Sequence, residues 1–254
     1  MVYEPREYRK LHREADLQHF QVCVGETDLD IGIKKSQFKT DLVRLTEEYV
    51  RKERQLFQEY LAQNPGFVTA LTPWRLDGAG EGQRAGQVPA AVRAMCQAAE
   101  AAGVGPMAAV AGWFAERTGL YLARFSKDVI IENGGDLWLK SSCIRKISIY
   151  AGKSPFSQRI GLEIRPKNTP LGICTSSGTV GHSLSFGCAD AVVILAPSAV
   201  LADAVATAAG NRVQGTADLQ KTVEWALSIP GVTGAVAILA DQLAAQGEVK
   251  LIPL

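Results

Sequence analysis

The chain has 254 residues, of which 47% are hydrophobic and 21% charged, a composition that suits a globular protein with a sizeable core. Its formal net charge of +1 gives no overall electrostatic ground for a nucleic-acid partner. Its five cysteines (Cys23, Cys96, Cys143, Cys174, Cys188) are odd in number, widely spaced and without a C-x-x-C pair, which speaks against a disulfide framework or a cysteine-built zinc or iron–sulfur site.

Residues 1–16 are dense in alternating charge (Glu4, Arg6, Glu7, Arg9, Lys10), unlike a secretory leader, and read as an N-terminal arm on a cytoplasmic protein. The alternation of Phe20, Val22 and Val24, then of Leu29, Ile31 and Ile33, predicts a hairpin turning near residues 25–28. Residues 40–63 change to a charge-rich helical pattern whose apolar stripe draws on Leu42, Leu45, Tyr49, Leu56, Tyr60 and Leu61. Asn64-Pro65-Gly66 ends that helix, and residues 67–71 read as a short strand. The glycine-rich segment 74–86 reads as a surface loop.

Helices are predicted over 89–102, stopped by Gly103, and from Gly105-Pro106 to about 122. The uncharged apolar stretch 101–115 contains Gly and Pro and is too short to span a membrane. The second helix opens on small residues (Met107 to Gly112 in sequence), a composition for tight helix packing or for offering backbone to a ligand. Val129, Ile130 and Ile131 and then Leu137, Trp138 and Leu139 form a strand pair joined by Glu132-Asn133-Gly134-Gly135-Asp136. The two glycines admit close approach of a ligand, and Asn133 and Asp136 add an amide and a carboxylate; a plain turn carries the same residues.

Strands follow around 147–150, 160–164 and 172–174, the last leading into the polar turn Thr175-Ser176-Ser177-Gly178-Thr179. Its hydroxyls and successive N–H groups suit a phosphate, although neither the P-loop nor the dinucleotide glycine pattern is present. His182, beside this turn, is either a structural histidine or a candidate for proton transfer. A serine nucleophile at Ser176 or Ser177 would lack the G-x-S-x-G elbow.

After an apolar run at 191–196, a helix opens near Ser198. Asp190 and Asp203 are the only full charges between residues 171 and 211. Asp203 and Thr207 lie one turn apart on one helical face, offering a carboxylate and a hydroxyl to a hard cation such as Mg²⁺. The alternative is a solvent-facing carboxylate beside a core threonine. A helix at 216–227, a strand at 236–239, a turn at 246–247 and a terminal strand at 249–252 complete one α+β domain over 1–254.

The segments 108–116, Asn133-Gly134-Gly135-Asp136, Thr175-Ser176-Ser177-Gly178 and Ala202-Asp203-Ala204-Val205-Ala206-Thr207 resemble, in order and spacing, the small-residue helix start, N-x-G-G-D turn, T-S-G turn and A-D-A-x-A-T signature of the ApbE-like superfamily. As a whole the chain resembles the UPF0280 group within it. The resemblance implies an ApbE-like fold with mixed or antiparallel sheets and packed helices. It also implies a Mg²⁺-dependent transfer of FMN from FAD to a threonine or serine of an acceptor protein. By the same resemblance, Asp203, Thr207 and a carbonyl near Val110 would hold Mg²⁺, and residues 133–136 with Ser176 to Thr179 would contact FAD.

Two departures stand against the family pattern. Ala111 takes the place of the lysine in the A-K-G-Y-like segment, and the H-x-I-D-P-x-T-G segment is reduced to Gly181-His182-Ser183-Leu184-Ser185-Phe186-Gly187. His182, Asp190 and Glu132 are the candidates for activating the acceptor hydroxyl. Hydrolysis of a nucleotide or phosphoester, and cofactor binding or protein interaction without catalysis, are the alternative functions. A homo-oligomer is compatible with the chain, and neither a membrane nor a nucleic acid is expected.

Overall fold

The computed structural model describes residues 14–76, 88–179 and 185–254. Strands β1 (Leu17–Val24) and β2 (Thr27–Lys34) form the expected hairpin, and β2 pairs with β3 (Val129–Asn133). A second hairpin joins β3 to β4 (Asp136–Lys140). With β7 (Leu171–Ser176), β8 (Ala191–Ala196), β9 (Gly234–Leu239) and β10 (Gln242–Gly247) these make an antiparallel sheet of eight strands in the order β1-β2-β3-β4-β7-β8-β9-β10. Strands β5 (Arg145–Ser148), β6 (Ile160–Ile164) and β11 (Leu251–Pro253) form a three-stranded sheet.

Alternate residues of the large sheet feed two cores, one on each face. Leu29, Ile31, Ile131, Trp138, Cys174, Val192 and Ile194 pack under the helices. Ile130, Leu137, Leu139, Ile173, Val193 and Val236 join Ile147, Leu162 and Ile164 of the small sheet. Because both faces are covered, β8 is an unbroken apolar run (AVVILA) buried at every position. The fold is thus α+β, with antiparallel sheets and helices layered on one face of the larger one.

That helical layer contains α1 (Asp41–Gln63), α3 (Ala90–Ala102), α4 (Val110–Leu122), α5 (Ala199–Arg212) and α6 (Leu219–Leu227). Helix α3 ends as its sequence predicts, at Gly103 in the left-handed region (φ 73°). Helix α1 is rotated from the expected stripe: Leu42, Thr46, Val50, Phe57 and Tyr60 are buried, while Leu56 is exposed. Helix α5 is not amphipathic. It is buried nearly all round by Ala, Val and Gly because it lies between β7 and β8 on one side and α3 and α4 on the other.

Three local expectations are corrected. Residues 67–71 are not a strand; Asn64 and Pro65 start a further helical turn, α2 (Gly66–Thr69), with the Phe67 N–H donating to the Asn64 carbonyl at 3.0 Å. The apolar character there serves an aromatic cluster, since fully buried Phe67 packs against Phe57, Tyr60 and Trp74. The chain does turn at Gly247, whose φ is +85°, but residues 242–247 leading to it form β10, a strand the sequence reading lacks, and a further turn before it falls at Ala240, whose φ is +53°. Thr175 and Ser176 belong to β7, so the polar turn begins only at Ser177. Among the described residues, no helix is long and apolar enough to cross a membrane.

Candidate functional site

The strand register sorts the candidate residues by face. Asn133 sits opposite Leu29 and Asp136, and Ser176 opposite Val192, so these three project toward the helices at one end of the large sheet. Glu132 pairs with Leu137 and Thr175 with Val193, so both project to the opposite face. Between the two hairpin strands, Gly134 and Gly135 adopt φ of +68° and +105°, and among the described residues no atom lies within 4 Å of where a Cβ on either would sit. The Gly135 N–H donates to Glu132 Oε1 at 2.8 Å, which fixes the turn from below.

Helices α4 and α5 supply the other wall. Gly112 lets them touch: a Cβ there would lie 2.3 Å from the Ala199 carbonyl oxygen. At this contact the Gly112 N–H donates to Asp203 Oδ2 at 2.8 Å. One residue earlier, the Ala111 carbonyl accepts from Asn133 Nδ2 at 3.0 Å, which ties the β3–β4 turn to the start of α4 directly after Val110. Asp203, Thr207 and Gly210 fall on one stripe of α5. The first meets Gly112 and the last lies against Ser176 Oγ, so half-buried Thr207 sits between them.

Asp136 and Asp203 are both buried, at 7% and 8% exposure, and among the described residues neither has a Lys, Arg or His partner. Burial pushes Asp203 up to about 7, against the N–H groups of Gly112 and Ala111, which favour its charged form. Burial, then the neighbouring Asp203 charge, raises Asp136 well above the usual carboxylate range, although its Oδ1 accepts from the Thr175 N–H at 3.2 Å. Cys174, fully buried beside them, donates to the Ala199 carbonyl, and burial with both aspartates pushes its thiol up, away from a reactive thiolate.

Two buried carboxylates without a cationic side chain are costly, and a hard cation relieves that cost. The donor set fits such an ion in kind: carboxylate, hydroxyl and main-chain oxygens. No group of three or more His, Cys, Asp and Glu converges as a metal site among the described residues. A cation here would therefore draw on Thr207, main-chain oxygens and water as well as Asp203.

The remaining candidates serve the rim. The Ser177 hydroxyl accepts from the Thr179 N–H at 3.1 Å, and the Gly178 N–H donates to the Ala189 carbonyl at 2.8 Å. Thr179 Oγ1 donates to Asp190 Oδ1 at 2.9 Å, and Asp190 Oδ2 accepts from the Ala240 N–H at 2.7 Å. Asp190 thus fastens the polar turn to the β9–β10 turn. His182 lies outside the described residues. A polar concavity of about 390 Å³, lined by residues such as Lys153, Gln158 and Arg159, belongs to the β5–β6 loop and includes none of the residues above.

Glu116 escapes the sequence reading. Its Oε2 accepts from Ser198 Oγ at 3.0 Å, Ala199 N at 2.6 Å and Val200 N at 3.3 Å, capping α5 from α4. It is the only acidic residue between 101 and 127, the same kind of isolation that singles out Asp203.

A family profile described as AbpE bacteria matches residues 9–244. The UPF0280 protein of Methanococcus aeolicus is 35% identical over 236 residues, covering 91% of this chain and 90% of that one. That of Methanocella arvoryzae is 41% identical over 196 residues, covering 77% and 76%. Among solved structures, the flavin transferase ApbE from Vibrio cholerae superposes with a TM-score of 0.51 at 14% identity, covering 92% of this chain and 97% of its own. The ApbE protein from Thermotoga maritima gives 0.52 at 13% identity, covering 91% and 96%. At these identities the likeness is one of fold. On its sequence relatives and its architecture, the chain belongs to the UPF0280 family and shares its fold with the ApbE flavin transferases.

Proposed function

We propose that the cleft between the β3–β4 turn, the end of β7 and helices α4 and α5 binds a flavin dinucleotide together with Mg²⁺, and that it transfers FMN to a hydroxyl of an acceptor protein. The observation that carries this reading is the buried carboxylate of Asp203, held on the Gly112 N–H and facing Asp136 without a cationic side chain among the described residues. When bound, Mg²⁺ would neutralise charge that develops on the pyrophosphate during displacement.

The chain's own residues set up that chemistry. Asp203, with the Thr207 hydroxyl one turn on and main-chain oxygen near Val110, would hold the cation. Asn133 keeps the Ala111 carbonyl and the hairpin turn together, and Gly134 and Gly135, with no described atom within 4 Å of a Cβ on either, would leave room for a ring or ribose. Ser176, Ser177 and Thr179 would face the nucleotide with hydroxyls and N–H groups. Incubation with FAD and Mg²⁺, followed by chromatography, tests the reading: release of FMN and AMP, abolished in Asp203→Asn, supports it. Intact FAD under all conditions, even with acceptor peptides carrying Ser or Thr, argues against transfer.

A second reading, cofactor binding without transfer, draws on a specific observation. Both oxygens of Asp190 are taken up by Thr179 and Ala240, and Glu132 projects to the opposite face of the sheet. Neither acid therefore stands over the cleft as a base for an incoming hydroxyl. FAD binding with no FMN or AMP formed is its expected signature.

A further inference from the structure

Helices α4 and α5 cap each other's first turns. Asp203 of α5 accepts from the Gly112 N–H of α4, and Glu116 of α4 accepts from the Ala199 and Val200 N–H groups of α5. Each acid lies four residues, one helical turn, beyond the contact point of its own helix: Glu116 beyond Gly112, Asp203 beyond Ala199. The two carboxylates and two helix starts form a closed ring. Its centre is the Gly112–Ala199 contact, where a Cβ on Gly112 would lie 2.8 Å from the Cβ of Asp203. On its other side, the first turn of α5 rests on β7, since a Cβ at Gly172 would lie 2.4 Å from the Ala199 Cα.

From this geometry we infer that Glu116 is a positioning residue for the cation site, acting through α5. The inference rests on the reading that Asp203 binds a cation. Asp203 is about 6 Å along the helix axis from Ala199. Any slip of the α5 start therefore carries Asp203 and Thr207 with it. Gly112 and Gly172 limit how close the helix comes but supply no attraction that fixes its rotation. The three donors converging on one oxygen of Glu116 supply that attraction, and they tie the helix that bears Asp203 to the helix whose N–H orients it. Residues that orient a ligand without touching the metal typically govern affinity by about 10–100-fold.

Mn²⁺ is the probe, titrated into the full chain and followed by the loss of its free EPR signal, with thermal unfolding measured alongside. Wild type should bind Mn²⁺ and Asp203→Asn should not. Glu116→Ala should weaken Mn²⁺ by about 10–100-fold. Glu116→Gln keeps an acceptor for the N–H groups but loses the charge, and should give a smaller loss in the same direction. It carries the test if the alanine variant does not fold. Leu162→Ala, which opens the core under the small sheet, should lower Tm and leave Mn²⁺ affinity at the wild-type value. Glu116 variants that unfold at lower temperature yet bind Mn²⁺ like wild type overturn the positioning role while leaving the cation reading intact. Absence of Mn²⁺ binding by wild type removes both.

Discussion

Asp203 shows most clearly how one residue can be structurally expensive and chemically useful. Its carboxylate is 8% exposed, faces another buried carboxylate and leans on the N–H groups of Gly112, at 2.8 Å, and Ala111. Without a cation it is a burden on the fold, so Asp203→Asn should leave thermal stability unchanged or raise it, since an amide oxygen still accepts from Gly112. The same variant should weaken divalent-cation affinity by about 100-fold or more, which calorimetry would register. A substitution that destabilises the protein and leaves cation binding intact would assign Asp203 a purely structural role.

Asp128 is the contrasting buried acid. Burial opposes its charge, but the N–H and Oγ of Ser142, Oγ of Ser141 and Nζ of Lys34 outweigh it and hold the carboxyl at about 2. Because this value lies below the ordinary 3.8, the group's contribution is fully present above pH 3.8 and is lost as pH falls through about 2. Asp128→Asn should therefore cost about 2 kcal/mol at pH 7. The gap to wild type should narrow as acid unfolding curves move from pH 4 toward pH 2. A gap independent of pH would show that the cost is packing and not charge.

Among the elements, α4 and α5 carry the site and illustrate what a sequence reveals. The spacing of Asp203 and Thr207, the helix start near Ser198 and the β3–β4 glycines were legible because each is a local rule of helix or turn geometry, and Ser198 Oγ accepts from the Leu201 N–H at that start. Glu116 was not, because its role depends on which helix lies beside it, a tertiary fact with no periodic signature. The face on which Glu132 projects was hidden for a related reason: one residue of strand register moves a side chain to the other side of the sheet. Residues 67–71 misled because a short apolar run reads equally as strand or helical turn.

Gly112 is where element packing can be tested. Replacing a helical glycine with alanine ordinarily gains up to about 1 kcal/mol. Here the new Cβ would lie 2.3 Å from the backbone oxygen of Ala199, an obstacle that cannot rotate away. The clash should win, so Gly112→Ala should be destabilising by about 1–3 kcal/mol. It should also lower cation affinity, because the bond to Asp203 is made at the same contact. Stabilisation by Gly112→Ala in denaturant titrations would contradict the close packing described for α4 and α5.

At the scale of the whole molecule, the large sheet separates two tasks. Its inner face and helices bring Asn133, Asp136, Ser176 and Asp203 to one end, while its outer face and the three-stranded sheet form a second core that contains none of these residues. This division explains how chains about 14% identical can share a fold: the layers need only apolar character in the right period, whereas chemistry resides in a few positions at one sheet end. The α+β class and most elements followed from that period. The pairing order of eight strands did not, because it is set by contacts distant in sequence.

In the proposed function, Asp203 and its neighbours bind a cation and a flavin nucleotide together. Calorimetric titration of FAD into the cofactor-free chain, with and without Mg²⁺, in wild type and Asp203→Asn, tests it most directly. Binding that strengthens when Mg²⁺ is present, with that gain lost in the variant, is the predicted result. No heat of binding in any condition, or Mg²⁺-independent binding that the variant retains, would contradict it.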